Sequence, residues 1–242
     1  MLYIKLFFIR KIKGLSLKIG LHRIVEPFSN FFLTLIYLSK FSKWRKENSN
    51  LKFNDFYNDN VKYVDRFKLH EFLFNSEKLD QAIDFYEFGV ADGISFKWWV
   101  EKNKNSNSRF FGFDTFTGLP EDFGVMKKED YDTKGNFPDV GGDVRCHFYA
   151  GLFQDSLRPF LQEYKPLNRK VIHLDADLYS ATLYVLTVMS PFLTPGDIIL
   201  FDEFGVPTHE FKAFADFESS YYFKYEVLGA VNNYLQIAIK VL

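Results

Sequence analysis

The sequence predicts an α/β fold, a mainly parallel sheet with helices on both faces, preceded by a helical arm. Three observations predict it. From about Val64 onward, short apolar runs of strand length alternate with segments of helical spacing. Several of those runs end in glycine or a carboxylate, the residue types found where parallel strands open onto a site. A chain of 242 residues, 47% hydrophobic and 25% charged, suffices for one large domain plus an appendage and is too apolar for a disordered chain.

The first fifty residues mix Lys and Arg with two apolar runs, Leu2 to Ile9 and Pro27 to Ser39. The second run has 13 uncharged residues, short of the ~20 that a membrane-spanning helix needs. No small-residue cleavage site follows a long apolar core, so a cleavable signal is not expected. Asn48-Ser49-Asn50 and the stretch Asn54 to Asn60 supply loop chemistry, which divides an arm at 1–60 from a domain at 61–242.

Within the domain, Asp65–Ala82 reads as a helix and Ile83–Val90 as a strand ending in a glycine turn. A helix follows over Ile94–Lys102, then a strand at Arg109–Phe113. Residues 117–145, rich in Gly, Pro, Asp and Lys, form a polar loop long enough to serve as a lid. His147–Tyr149 is the third strand, Gln154–Glu163 a helix, Lys170–Leu174 a strand and Ala181–Phe192 a helix that stops at Pro195-Gly196. Asp197–Phe201, a helix near Glu210–Ser219, and the strands Phe223–Val227 and Tyr234–Val241 complete a seven-stranded sheet.

Composition excludes several classes of function. A single cysteine, Cys146, leaves no disulfide framework and no all-cysteine zinc site. The net charge of −1 argues against nonspecific nucleic-acid binding. That total hides an asymmetry: residues 1–50 carry ten Lys/Arg against two Asp/Glu, or +8, and the remainder is at −9. The basic arm has two readings, packing on the domain or a second subunit, and contact with an anionic membrane surface at residues 1–45.

The strand ends carry the chemistry. Glu87-Phe88-Gly89-Val90-Ala91-Asp92-Gly93 lets the backbone turn tightly and opens a helix whose free N–H groups suit a carboxylate. Glu87 can hold an ammonium group, and the G-x-G-x-x-G of a dinucleotide site is missing. Taken alone, the turn is equally a structural one. Asp114, 21 residues after Gly93, can accept two hydrogen bonds from a ribose diol, or sit solvated in a loop. Together the two describe a nucleoside with an ammonium and a carboxylate at its other end, which fits S-adenosylmethionine better than NAD. Asp175, Asp202 and Glu203, at neighbouring strand ends, offer hard oxygens for Mg²⁺ or another divalent cation. Asp177 reads as a helix cap beside them. His173 reads as a packed histidine pointing away from Asp175, Trp98 and Trp99 as packing residues, Cys146 and His147 as buried structural ones, and Tyr179 as a neighbour of the cofactor or metal.

The segments EFGVADGISF (87–96), FDTFTGLPED (113–122), AGLFQDSL (150–157), HLDADLYSATL (173–183) and PGDIILFDEF (195–204) occur in this order and spacing. The chain thereby resembles the macrocin O-methyltransferase family, metal-dependent enzymes that methylate sugar hydroxyls on macrolides and related glycans. The resemblance covers roughly residues 65–242, and FDTFTGLPE and HLDADLY are its most specific pieces. It implies a Rossmann-like class I methyltransferase fold and a cytoplasmic enzyme with a small-molecule or glycan substrate.

By that resemblance Glu87, Phe88, Gly89 and Gly93 would bind the methionine end of S-adenosylmethionine, with Ser95 close by. Asp114 would take the ribose hydroxyls, flanked by Thr115 and Phe116. Phe153 and Gln154 sit where catechol-type relatives contact adenine. Asp175, Asp202 and Glu203 match the metal ligands, although the family usually has two aspartates at the last pair. Catechol-type relatives place a lysine base three residues after the first ligand aspartate, where this chain has Leu178. Asp175 and His209 are then the candidate bases. A phenolic or other small hydroxyl acceptor, and a noncatalytic cofactor-binding module, are the competing readings.

Overall fold

The computed structural model of the chain describes residues 2–121 and 127–242. The arm is helical: α1 (Leu2–Lys18), a single turn α2 (His22–Val25) and α3 (Ser29–Glu47). The domain runs β1 (Phe53–Asn54), α4 (Arg66–Ser76), β2 (Ile83–Phe88), α5 (Ile94–Lys102), β3 (Arg109–Asp114), β4 (Cys146–Ala150) and α6 (Phe153–Glu163). It continues with β5 (Arg169–Leu174), α7 (Tyr179–Met189), β6 (Ile198–Phe201), α8 (Glu210–Tyr221), β7 (Tyr225–Val231) and β8 (Gln236–Val241).

Among the described residues the strands form one sheet of eight, in the order β1-β7-β8-β6-β5-β2-β3-β4. The inner strands β6, β5, β2, β3 and β4 are parallel, and β8 is antiparallel to both β6 and β7. Seven of the strands are those expected from sequence. The eighth, β1, is only two residues long, too short for alternation to register, and it pairs Phe53 with Gly229 at the sheet edge. The helix expected over Asp65–Ala82 stops at Ser76, because Glu77 closes it and the chain turns before β2.

Alternation within the strands builds two cores. Tyr86, Phe88, Phe113, Ile172, Leu174 and Phe201 face α6, α7 and α8, while Phe85, Phe110, Val171, Ile198 and Leu200 face α4 and α5. Burying both faces explains why these strands are apolar throughout rather than alternating. Trp99 is buried against Phe85 at 5.2 Å, and Trp98 sits edge-on to it at 5.0 Å, as packing residues should. On the edge strand β4, His147 is exposed and Cys146 half-buried, contrary to the expectation for both, since an edge strand has a neighbour on one side only.

The arm divides at about Tyr37. From there α3 packs on the domain: Tyr37 and Trp44 are buried, Phe41 meets Phe211 at 5.0 Å, and Trp44 Nε1 donates to Tyr225 Oη at 2.8 Å. Before Tyr37, Phe7, Phe8, Ile12, Phe31 and Phe32 are all exposed.

Candidate active site

A cavity of about 580 Å³ opens beyond the carboxyl ends of β2, β3 and β5. Crossovers above the sheet diverge here, which makes this end the place for a ligand. Of the residues singled out from sequence, Glu87, Gly89, Ser95, Asp114, Thr115, Phe153, Gln154, Asp175 and Glu203 line it. Leu119, Pro120, Glu121 and Tyr131 line it too, so the expected lid segment does border the cavity. The part of that segment at 122–126 lies outside the described residues.

The glycine turn is built by close approach. Gly89 has φ +91°, and a Cβ there would lie 1.8 Å from the Asp175 carbonyl oxygen. Gly93 has φ +71°, and its missing Cβ makes room for Pro138 of the long loop rather than for a ligand. Asp114 fixes the turn from the next strand: its Oδ2 accepts from the N–H groups of Val90 at 2.7 Å and Ala91 at 2.9 Å, and its Oδ1 from Phe116 at 2.6 Å. Phe88 and Phe116 do not line the cavity. Phe88 stacks on Phe113 and meets the edge of Phe153 at 5.3 Å, which fixes that lining ring, whereas Phe116 is buried against Phe137.

Beside the turn lies a buried charge cluster on the α4 face of the sheet. Period-two alternation puts Glu87 in line with Phe85, His173 with Val171, and Asp202 with Leu200, so all three side chains converge on that face. His173 and Asp175, two residues apart, share this face; the expectation that they point apart is corrected. Among the described residues, His173, Asp175 and Asp202 are the acid/histidine group whose ligand-type atoms lie within 4.8 Å of one another. Glu203 does not join them; it faces the cavity instead, its N–H donating to Glu210 Oε2 at 2.9 Å.

His173 Nε2 lies 3.6 Å from Asp202 Oδ1, and its Nδ1 lies 3.6 Å from Glu87 Oε1 and 3.3 Å from Ser95 Oγ. Burial disfavours an imidazolium, but the two acids outweigh it and lift the His173 pKa to about 10. His173 is thus held between Glu87 and Asp202, with its ligand-type atoms close to those of Asp175. Burial raises the Asp202 pKa, yet His173 and Arg66 pull it down to about 2.

Sequence reading missed Arg66 and Tyr63, because nothing local marks them. Arg66, in the first turn of α4, is buried, and its Nη1 donates to Tyr63 Oη at 2.7 Å and to Asp202 Oδ2 at 3.0 Å, and lies 3.5 Å from Asp175 Oδ2. The Tyr63 hydroxyl also donates to Asp202 Oδ2.

The acids that face the cavity remain under-compensated. Asp175 is raised well above the carboxylate range by burial and then by Asp202. Burial and the charges of Asp202 and Asp177 push Glu203 to about 8, and burial with Asp202 and Asp114 pushes Asp177 to about 7. Asp177 caps no helix: Leu178 is the N-cap of α7, and Asp177 has φ +56° and lines the cavity. Tyr179 is turned away, donating to Asp216 Oδ2 at 3.1 Å beneath Lys212. His209 is half-buried at the start of α8 and does not line the cavity; its pKa is lowered by burial, against the pull of Glu121 on the rim.

Residues 86–204, spanning β2 to β6 and every strand end just described, match the family described as a methyltransferase domain. The chain carries a methyltransferase domain. Three solved structures resemble this methyltransferase in fold. CalS11, a calicheamicin methyltransferase, is 22% identical with a TM-score of 0.56, covering 72% of this chain and 80% of that one. The O-methyltransferase NovP is 17% identical with a TM-score of 0.54, covering 74% and 78%. An O-methyltransferase from Bacillus cereus in complex with SAH is 17% identical with a TM-score of 0.52, covering 72% and 81%. No curated protein matches the chain. The resemblance read from the motifs and the fold it implied are both borne out.

Proposed function

We propose that this methyltransferase moves a methyl group from S-adenosylmethionine to a sugar hydroxyl of a glycan, glycolipid or glycosylated metabolite, assisted by a divalent cation such as Mg²⁺. The observation that carries it is one cavity bordered by Glu87, Gly89 and Asp114 on one side and by Asp175 and Glu203 on the other. The sugar acceptor rests on the segments FDTFTGLPED and HLDADLYSATL.

The donor set fits a hard cation. Asp175 and Glu203 present carboxylates to the cavity, and their raised pKa values express a shortage of positive charge there. Such a cation, when bound, lowers the pKa of a chelated hydroxyl and stabilises the alkoxide. The protein does the rest. Glu87 and the N-terminus of α5 receive the methionine end, the pinned Asp114 the ribose, and Phe153 with Gln154 the adenine. Asp175 accepts the hydroxyl proton, with His209 near Glu121 as the second candidate. Leu119 and Pro120 help exclude water, which strengthens each of these interactions.

The arm supports a location. Phe7, Phe8, Ile9 and Ile12 are exposed in α1 beside Lys5, Arg10, Lys11 and Lys13, a combination that fits the anionic inner surface of a cytoplasmic membrane. No helix among the described residues is long and apolar enough to cross a membrane.

Calorimetry with S-adenosylmethionine, with and without Mg²⁺, followed by a screen of nucleotide-sugar acceptors with labelled cofactor, tests the proposal. Cofactor binding and label on a sugar are expected. Absence of cofactor binding removes the reading, and transfer to phenols alone replaces its acceptor.

A further inference from the structure

We propose that Arg66 is a tethered competitor for the divalent cation, occupying the carboxylates until its guanidinium withdraws. This rests on the cation reading above and concerns what keeps the cation out of the resting protein.

The geometry is specific. Asp202 Oδ2 accepts from both Arg66 Nη1, at 3.0 Å, and the Tyr63 hydroxyl. Those two donors use the two lone-pair directions of a carboxylate oxygen. The other oxygen, Oδ1, is buried and faces the His173 ring at 3.6 Å. A Mg²⁺ ligand needs an oxygen about 2.1 Å from the ion, on a free lone pair. Asp202 Oδ2 therefore has no lone pair to give while Arg66 is in place, which leaves Oδ1 alone, buried beside His173 and without a hydrogen bond. The same Nη1 reaches Asp175 Oδ2 at 3.5 Å, so one guanidinium nitrogen lies between two of the three acids that the sequence picks out as ligands.

The guanidinium is held from other sides as well. Its Cζ lies 4.4 Å from the centre of the Tyr63 ring and 5.3 Å from that of Phe67. Arg66 and Tyr63 belong to the turn that enters α4, and Tyr63 is half-exposed at the cavity. A cation entering from the cavity meets Asp175 and Glu203 first and gains Asp202 Oδ2 only by displacing Arg66. Affinity in the free protein is then weak, and it rises when contacts to Tyr63 draw this turn aside.

The test is Mn²⁺ binding to the full chain without cofactor or acceptor, read by electron paramagnetic resonance of the free ion. Arg66→Gln leaves a shorter, uncharged polar side chain, and it should bind Mn²⁺ at least about tenfold more tightly than the wild type, the worth of one charge-assisted hydrogen bond. Arg66→Lys keeps the charge and should stay within about threefold of the wild type. Tyr63→Phe returns one lone pair of Asp202 and leaves Arg66 intact; it should tighten binding by a smaller factor, and it carries the test if Arg66→Gln does not fold. Equal or weaker binding by Arg66→Gln and Tyr63→Phe overturns the proposal while leaving the cation reading standing. No Mn²⁺ binding by any of the proteins overturns both.

Discussion

The Gly89 backbone passes so close to Asp175 that a Cβ on the glycine would sit 1.8 Å from the aspartate's carbonyl oxygen. This contact joins the ends of β2 and β5, and with them the two chemistries of the cavity. Glu87 lies two residues before Gly89 on the cofactor side, and the Asp175 carboxylate fronts the proposed cation side. In the proposed reaction, this contact sets the methyl donor's side of the cavity against the side of the hydroxyl.

Gly89→Ala places a methyl group into backbone and demands φ +91° of an L-residue. We expect a loss of at least about 2 kcal/mol in urea unfolding and no cofactor binding. A variant within about 0.5 kcal/mol of the wild type would show that the strand ends can part freely.

Asp114 accepts three backbone N–H groups and borders the cavity, so its charge both shapes the turn and meets the ligand. Asp114→Asn turns one acceptor into a donor facing those N–H groups. S-adenosylmethionine affinity, measured by calorimetry, should fall at least about tenfold; unchanged affinity would remove Asp114 from the cofactor site.

Asp175→Ala should abolish methyl transfer with the far-ultraviolet circular dichroism unchanged, and excess EDTA should do the same to the wild type. Full turnover under either condition would end the cation mechanism.

At the opposite end of β2, Asp84 is fully buried and accepts from Arg109 Nε at 2.8 Å, Arg109 Nη2 at 2.5 Å, Tyr164 Oη at 2.5 Å and Asn168 Nδ2 at 3.0 Å. Burial alone would raise its pKa, but these donors hold it below the carboxylate range. Because the folded value is depressed, the ionised form stabilises the fold at pH above the unfolded pKa of 3.8, and that contribution is lost as pH falls through the folded value. Asp84→Asn should therefore lower the melting temperature at pH 7, and the gap to the wild type should close below pH 3.8. A gap that stays constant across that range would mean that charge is not what Asp84 supplies.

The arm is checked by co-sedimentation. The intact chain should pellet with vesicles containing phosphatidylglycerol, less so at high salt, and should remain in solution with neutral vesicles. A salt-independent dimer in sedimentation equilibrium, with no pelleting, would assign the exposed helix to a second copy of the chain.

Much of the fold can be read from local pattern. Ile83–Phe88 and Arg169–Leu174 are apolar runs bounded by turn residues, and they need no partner to be recognised as strands. Glu87, Asp114, Asp175 and Glu203 are legible for a related reason, since each stands at the end of an apolar run where the cavity opens; Asp202 ends such a run too, but is buried against Arg66 and His173. The pairing of β1 with β7 is not legible, because two residues carry no period. His173 was within reach of alternation counted from Val171, which puts it on the α4 face with Asp175.

Sequence alone determined the order of strands and helices, the glycine turn and the acids at the strand ends, because each follows from the periodicity of neighbouring side chains. Only the tertiary structure decided which charges neutralise one another. Arg66 reaches Asp202 across 136 positions of chain, and His173 settles between Glu87 and Asp202 on a neighbouring strand. Coulomb energy depends on distance in space and on burial, and neither is written in the spacing of residues along the chain.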